Sequence, residues 1–250
     1  MTEVRHLEEF LAGARVDPAV TDLRPDYRAL LIAVAGIISA DRDEASEQLL
    51  ARAETAAHDL LTDSPVQDVA HVAAWREAYR AFGAKPQRTR NSLEALLRRA
   101  GSGLPRVNRL TDIYNAISVI HQVPLGGEDL NRYDGSPRLI RATGHESFDA
   151  VADGGPVVEH PEPGEVVWCD GTGVTCRRWN WRQGRRTQLT ADTTSALFIL
   201  DALAPMSDEA LTAAGDHLAD QLRRLGPDVR VVSRVFAPAP DTGTSSQEHS

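Results

Sequence analysis

Apolar residues recur at helical spacing through Leu110, Ile113, Tyr114, Ile117, Val119 and Ile120. The spacing predicts a helix bracketed by two loops, Gly103 to Asn108 and Pro124 to Asp129. Pro105 keeps Leu104 out of the helical region, Asp112 favours the positive end of the helix dipole, and Pro124 ends the helix. Asp112, Asn115 and Ser118 fall at helical spacing, so three short polar groups lie near one stripe while the isoleucines take another. On pattern alone this is an amphipathic helix, and Gly126 to Asp129 is a turn that closes it.

The flanking patterns divide the chain into a helical half and a strand half. Thr2 to Ala14 predicts a short exposed helix, and the aliphatic run Arg28 to Val34, bounded by Pro25 and Gly36, predicts a buried strand with a helix as its competitor. A helix over Ala45 to Leu61 is opened by Asp41, Asp43 and Glu44. Another begins at Pro65 and closes at Gly83, and Asn91 with Glu94 caps a third over Ser92 to Ala100. Short β-branched runs then follow at Arg138 to Ala142, Val157 to Val158, Glu165 to Cys169, Val174 to Arg178 and Ala196 to Leu200. Ser207 caps a helix with Asp208 and Glu209 in its first turn and Arg223 and Arg224 in its last, and Val229 to Phe236 alternates as a final strand. Helices first and strands later, without βαβ alternation, argue for the α+β class. The expected organisation is an extension over residues 1–64 packed on the core, a main domain over 65–236, and a disordered tail over 237–250, where apolar residues almost vanish.

Composition changes the picture little. At 250 residues, 42% hydrophobic and 25% charged, the chain is long enough to bury a core. Its net charge of -9 argues against indiscriminate coating of nucleic acid. Two stretches nevertheless are basic, Arg76 to Arg109 and Arg177 to Arg186. Cys169 and Cys176 alone imply no disulfide framework, and their spacing reads as a hairpin rather than a metal knuckle. No signal-peptide core opens the chain, and the longest apolar run, Ala29 to Ile38, is far short of the ~20 residues that span a bilayer, so a cytosolic address is expected. No serine sits in a nucleophile elbow, and neither a Walker lysine loop nor a dinucleotide fingerprint is present, so neither a cofactor nor a metal is expected.

Asp112, Ile113, Tyr114 and Asn115, with Pro124 beyond them, resemble the segment lining the amino-acid pocket in the editing domain of bacterial phenylalanyl-tRNA synthetase beta subunits, the B3/B4 domain. Trp75, Arg76, Ala78, Tyr79, Phe82, Gly83, Lys85 and Pro86 resemble the entry to that domain in its free-standing relatives. Arg177 to Gln183, then Asp192 and Thr193, resemble its later half. The resemblance covers roughly residues 65 to 236 and implies a layered β-sandwich-like core with helices packed outside. It also implies an activity, hydrolysis in trans of a mischarged aminoacyl-tRNA or its 3′ aminoacyl-adenosine end, with tRNA and an amino-acid moiety as partners. Alternatives are a non-catalytic tRNA or amino-acid binding module and a small-molecule amino-acid sensor.

The family's pocket asparagine falls on Asn115, whose amide can donate to a carbonyl and accept from an ammonium group. Asn108, Asp112 and Tyr114 are its neighbours, Gly126 and Gly127 would permit close backbone approach, and Glu128 or Asp129 would bind a substrate amine. Two positions depart from the pattern: Gly126 stands where the family has a pocket histidine, and the family's pocket glutamate falls near Arg185. Trp179 and Trp181 are expected on one face of a strand, as core or as a stacking surface, with Asn180 and Arg182 on the other, as site residues. The expected tRNA contacts are Arg98, Arg99, Arg106, Arg109, Arg177, Arg178, Arg185 and Arg186.

Overall fold

The structure, a computed structural model, describes residues 3–152 and 154–237, so the expected tail from Pro238 lies outside the described residues. Its elements are α1 (Glu3–Gly13), β1 (Arg15–Val16), α2 (Pro18–Leu23), β2 (Arg28–Ala35), α3 (Glu44–Thr62), α4 (Ala70–Ala81), α5 (Ser92–Ala100) and α6 (Arg109–Ile120). There follow β3 (Leu125–Asp129), β4 (Arg138–Arg141), β5 (Phe148–Ala152), β6 (Gly155–Glu159), β7 (Val166–Cys169), β8 (Val174–Arg177), β9 (Arg182–Gln183), β10 (Ser195–Ala202), α7 (Asp208–Arg223) and β11 (Arg230–Phe236).

The long aliphatic runs of β2 and β10 pair antiparallel at the centre of a four-stranded sheet in the order β11-β2-β10-β3. Both strands are buried along almost their whole length, which explains why they read as continuous apolar runs: each face of this sheet is covered. One face, with Leu30, Ile32, Val34, Phe198 and Leu200, packs on α3, α5, α6 and α7. The other, with Ala29, Leu31, Leu197 and Ile199, packs on α1, α4 and a second, mixed sheet in the order β1-β4-β7-β8-β5-β6, with β9 paired to β8. The class is α+β, with a central sheet between a helical layer and the second sheet. Residues 1–64 supply β2 to the middle of the first sheet.

The helix ends follow local chemistry. Asn91 Oδ1 accepts the Glu94 N–H at 2.9 Å, Asn108 Oδ1 accepts that of Thr111 at 2.9 Å, and Ser207 Oγ accepts that of Ala210 at 3.2 Å. Three expectations are corrected. The first helix is amphipathic rather than exposed, burying Leu7, Phe10 and Leu11. The helix expected from Pro65 opens as a separate 3-10 turn, Val66–Asp68, because Val69 is non-helical at ψ 121°. Gly126 to Asp129 is not a turn but the edge strand β3, its register fixed by pairing with β10.

That pairing explains Gly127. A Cβ there would lie 2.7 Å from Phe198 Cε1 and 2.8 Å from Leu189 Cδ1, so the glycine admits the protein's own core rather than a ligand. Gly127→Ala is therefore expected to lower unfolding free energy by about 1–3 kcal/mol through overpacking. At Gly126 the same change meets only the Gln183 side-chain amide, at 2.9 Å, and should cost much less. Urea denaturation of the two variants checks the difference; equal losses would refute this account. Among the described residues no helix is long and apolar enough to cross a membrane.

Candidate functional site

A cavity of about 250 Å³ opens between α5, α6, the β3–β10 pair and the chain linking β8 to β9. Strand alternation builds its floor. Gly126 pairs with Ile199 and Glu128 with Leu197, while the Asp201 N–H donates to Pro124 O at 3.0 Å. Residues 126, 128, 199 and 201 therefore share one face of the sheet, and Gly126, Glu128, Ile199 and Asp201 all line the cavity. The Asn108 cap starts α6 so that Tyr114 and Asn115 reach the same space. Asn115 is 7% exposed, and its amide has no hydrogen-bond partner among the described residues.

The opposite wall depends on a backbone feature hidden from strand periodicity. Arg178 and Trp179 take positive φ, 47° and 67°, so the chain turns instead of continuing as a strand. Such residues cost about 1–3 kcal/mol each unless their surroundings hold them. Here the Trp179 ring sits edge-on to Trp75 and Tyr27, at centroid separations of 5.2 and 4.9 Å. The expected separation of Trp179 and Trp181 from Asn180 and Arg182 is corrected: the turn brings all four to the cavity. Trp179 is fully buried and Trp181 half-buried, with the Arg178 guanidinium 4.5 Å from the Trp181 ring centre.

Two buried carboxylates dominate the electrostatics. Asp201 Oδ1 accepts from the Tyr27 hydroxyl at 2.6 Å and Oδ2 from Asn180 Nδ2 at 3.3 Å. The Tyr79 hydroxyl in turn donates to Asn180 Oδ1 at 3.0 Å. Glu128 accepts from the Tyr133 hydroxyl. Burial pushes each carboxyl up to about 7, and for Asp201 the nearby Glu128 adds to the effect. The cation on the cavity wall, Arg182, is held by Glu159 at 3.2 Å. The Cys176 thiol also lines the cavity, but burial pushes its pKa far up, leaving it protonated and inert.

The shifts have a stability consequence. Asp201 and Glu128 keep their protons to about pH 7 when folded, whereas unfolded carboxyls ionise near 4. Across that window the folded state binds more protons, so their contribution falls as pH rises and levels off above 7. His71, held neutral down to about 4 by burial, acts in the opposite sense between about 4 and 6.5. Comparing Asp201→Asn with the parent cancels the His71 contribution. The variant should gain about 1–3 kcal/mol at about pH 8 and roughly nothing at about pH 4.5, by chemical denaturation. A pH-independent difference would show that Asp201 is not the group involved.

Of the expected site residues, Tyr114, Asn115, Gly126, Glu128, Asn180 and Arg182 meet in the cavity. The others serve the fold. Asn108 caps α6 and donates from Nδ2 to Leu189 O at 3.2 Å, and Asp112 accepts the Val107 N–H at 2.8 Å. Gly127 packs on Phe198, and Asp129 accepts from the Thr193 hydroxyl and the Asn131 N–H, each at 3.0 Å. Sequence reasoning missed Asp201, Trp168 and Gln183. For Asp201 a signal existed, since an acid within the apolar strand Ser195–Ala202 has to be buried.

The arginines do not form a bare basic face. Arg98 pairs with Glu94 at 2.9 Å, Arg106 with Glu47 at 2.6 Å and with Glu54, Arg185 with Asp149 at 3.1 Å, and Arg186 with Asp170 at 2.8 Å. Arg109 is buried against Asp43 and the Ile38 carbonyl, Arg177 is buried between Glu165 and Glu159, and Arg178 lies 3.6 Å from Glu165. Arg99 is exposed on α5, one turn beyond Ala95 of the cavity wall. No cluster of three or more His, Cys, Asp or Glu side chains among the described residues could hold a metal ion.

Fold and cavity together define an α+β protein with a partly open cavity that carries two buried acids on its wall. The B3/4 domain model matches residues 74–217, more than half of the chain, and the chain belongs to the B3/4 domain family. Among solved structures it is similar to an N-terminal fragment of the phenylalanyl-tRNA synthetase beta subunit from Pyrococcus horikoshii. That match has 12% identity and a TM-score of 0.44, covering 87% of this chain and 49% of that one. The chain thus spans about half the length of that fragment. No curated protein matches it.

Proposed function

We propose that the cavity receives the aminoacyl group at the 3′ end of a tRNA and that the protein hydrolyses the ester of a mischarged amino acid, with residues 3–237 acting as one unit. The observation that carries this reading is the meeting of Asn115, unpartnered, with the buried carboxylate of Glu128 in one cavity of amino-acid size. At about 250 Å³ it is smaller than the ~300–1,000 Å³ of sites for drug-sized ligands. An aminoacyl ester is already activated. The site has to hold the α-ammonium, place donors at the carbonyl as it becomes an oxyanion, and retain a water. Glu128 takes the first task and Asn115 the second; water then attacks the carbonyl carbon, releasing the amino acid and the ribose hydroxyl. Membership of the B3/4 family supports the reading, as do the motifs around Asn115 that resemble the synthetase editing domain.

A non-catalytic amino-acid-binding module is the second reading, favoured by the internal pairing of so many arginines. A panel of mischarged tRNAs incubated with the purified protein and scored for released amino acid separates the two. Release from at least one member above the uncatalysed rate supports the hydrolase. Release from none, with retained binding of amino-acid amides, supports the module.

A further inference from the structure

Asp201 has no task in that hydrolysis, yet the fold holds it at the cavity wall at evident cost. It is 2% exposed, and its hydrogen-bond partners, Tyr27 and Asn180, are neutral. No Lys, Arg or His among the described residues pairs with it, and Arg182 is already answered by Glu159. A buried carboxylate without a countercharge is destabilising even where neutral donors satisfy its oxygens.

The surroundings suit a positive charge. Trp168 and Trp179 line the cavity with Asp201, and neither brings a charge that would compete with a ligand's cation. The register also sets a length. Asp201 lies opposite Pro124, the residue before β3, and Glu128 stands four residues further along the chain, which spaces their backbone positions by roughly 13 Å at ~3.3 Å per residue. Two carboxylates spaced along one cavity wall suit a ligand with a positive charge at each end.

We propose that Asp201 is a specificity-determining residue that receives a cation at the far end of the substrate's side chain, so that the preferred acyl group is a diamino acid of the lysine or ornithine type. The assignment rests on the reading of Glu128 as the α-ammonium site. One carboxylate takes each ammonium, the methylene chain lies along Leu125 and Ile199, and the carbonyl is left at Asn115.

Lysinamide and norleucinamide share a backbone and chain length, differ in the terminal ammonium, and contain no ester to hydrolyse. Calorimetric titration of the whole protein at about pH 8 should show lysinamide binding on the order of tenfold more tightly, or better. In Asp201→Asn this preference should disappear, with norleucinamide affinity held within a few-fold. Glu128→Gln should weaken both ligands alike, and a circular dichroism melt of each variant reports folding. Equal or tighter binding of norleucinamide by the parent protein, or no binding of either amide, overturns the assignment without recourse to a variant. Its failure is distinguishable from failure of the hydrolase reading. Deacylation of an aromatic or aliphatic aminoacyl-tRNA with no lysinamide preference sinks the specificity alone, whereas a lysinamide preference without deacylation of any tRNA sinks the hydrolysis alone.

Discussion

Arg177→Ala is expected to lower unfolding free energy by about 3–5 kcal/mol, the usual effect of removing one partner from a buried ion pair. Arg177 stands in β8, where its side chain is 8% exposed and that of Glu165 only 2%. The guanidinium meets Glu165 through two contacts, Nε–Oε1 and Nη2–Oε2, both 2.9 Å, and reaches Glu159 through Nη1 at 2.8 Å. Without it, Glu165 keeps the Arg178 N–H at 3.1 Å, a long contact to the Glu162 N–H at 3.4 Å and the Arg178 side chain at 3.6 Å, too little for a carboxylate shut away from water. Arg177→Lys should recover only part of the loss, because an ammonium cannot reproduce the paired geometry. The double change Arg177→Met with Glu165→Leu should be far less damaging than Arg177→Ala, since it removes both charges together. Thermal melts decide it. A loss under about 1 kcal/mol would mean that the charge is solvated and free for another partner such as RNA.

That outcome bears on how a sequence is read. Arg177 and its neighbours form a basic run along the chain, and runs invite a nucleic-acid interpretation. The carboxylates that answer these charges are distant in sequence: Glu47 for Arg106 and Asp149 for Arg185. Local chemistry was legible where the determinants were local, as in the caps of α5 and α7 and the apolar runs of β2 and β10. Strand β3 was not, because Gly126 and Gly127 carry turn propensity and become a strand only through pairing with β10. Likewise the alternation of Trp179, Asn180, Trp181 and Arg182 failed where two non-glycine residues at positive φ turn the chain. Half of the site followed from helix periodicity and motif resemblance. The other half, Asp201 above all, required the sheet register that sets it on the same face as Glu128.

Asn115→Ala should reduce single-turnover deacylation of the mischarged substrate by about two orders of magnitude, the effect of losing one preorganised oxyanion donor. Asn115 is held by a rigid support. It lies one turn and a half into α6, whose start is fixed by the Asn108 cap and whose apolar face packs through Ile113, Ala116 and Ile117. With no partner within the described protein, its amide can meet a carbonyl without first breaking a bond, the condition under which a donor gains most as charge develops. Loss of an ordinary ground-state hydrogen bond would cost only about 0.5–1.5 kcal/mol of affinity, so tRNA and amino-acid amide binding should stay within roughly tenfold. Rate and affinity therefore part company in this variant if the site is catalytic. Comparing the single-turnover rate at saturating protein with the titrated dissociation constant makes the separation directly. A folded Asn115→Ala protein that deacylates at the parent rate removes Asn115 from the chemistry. A variant in which rate and affinity fall together by the same factor makes Asn115 a binding contact, with the donors for the carbonyl to be sought instead among Asn180 and Gln183.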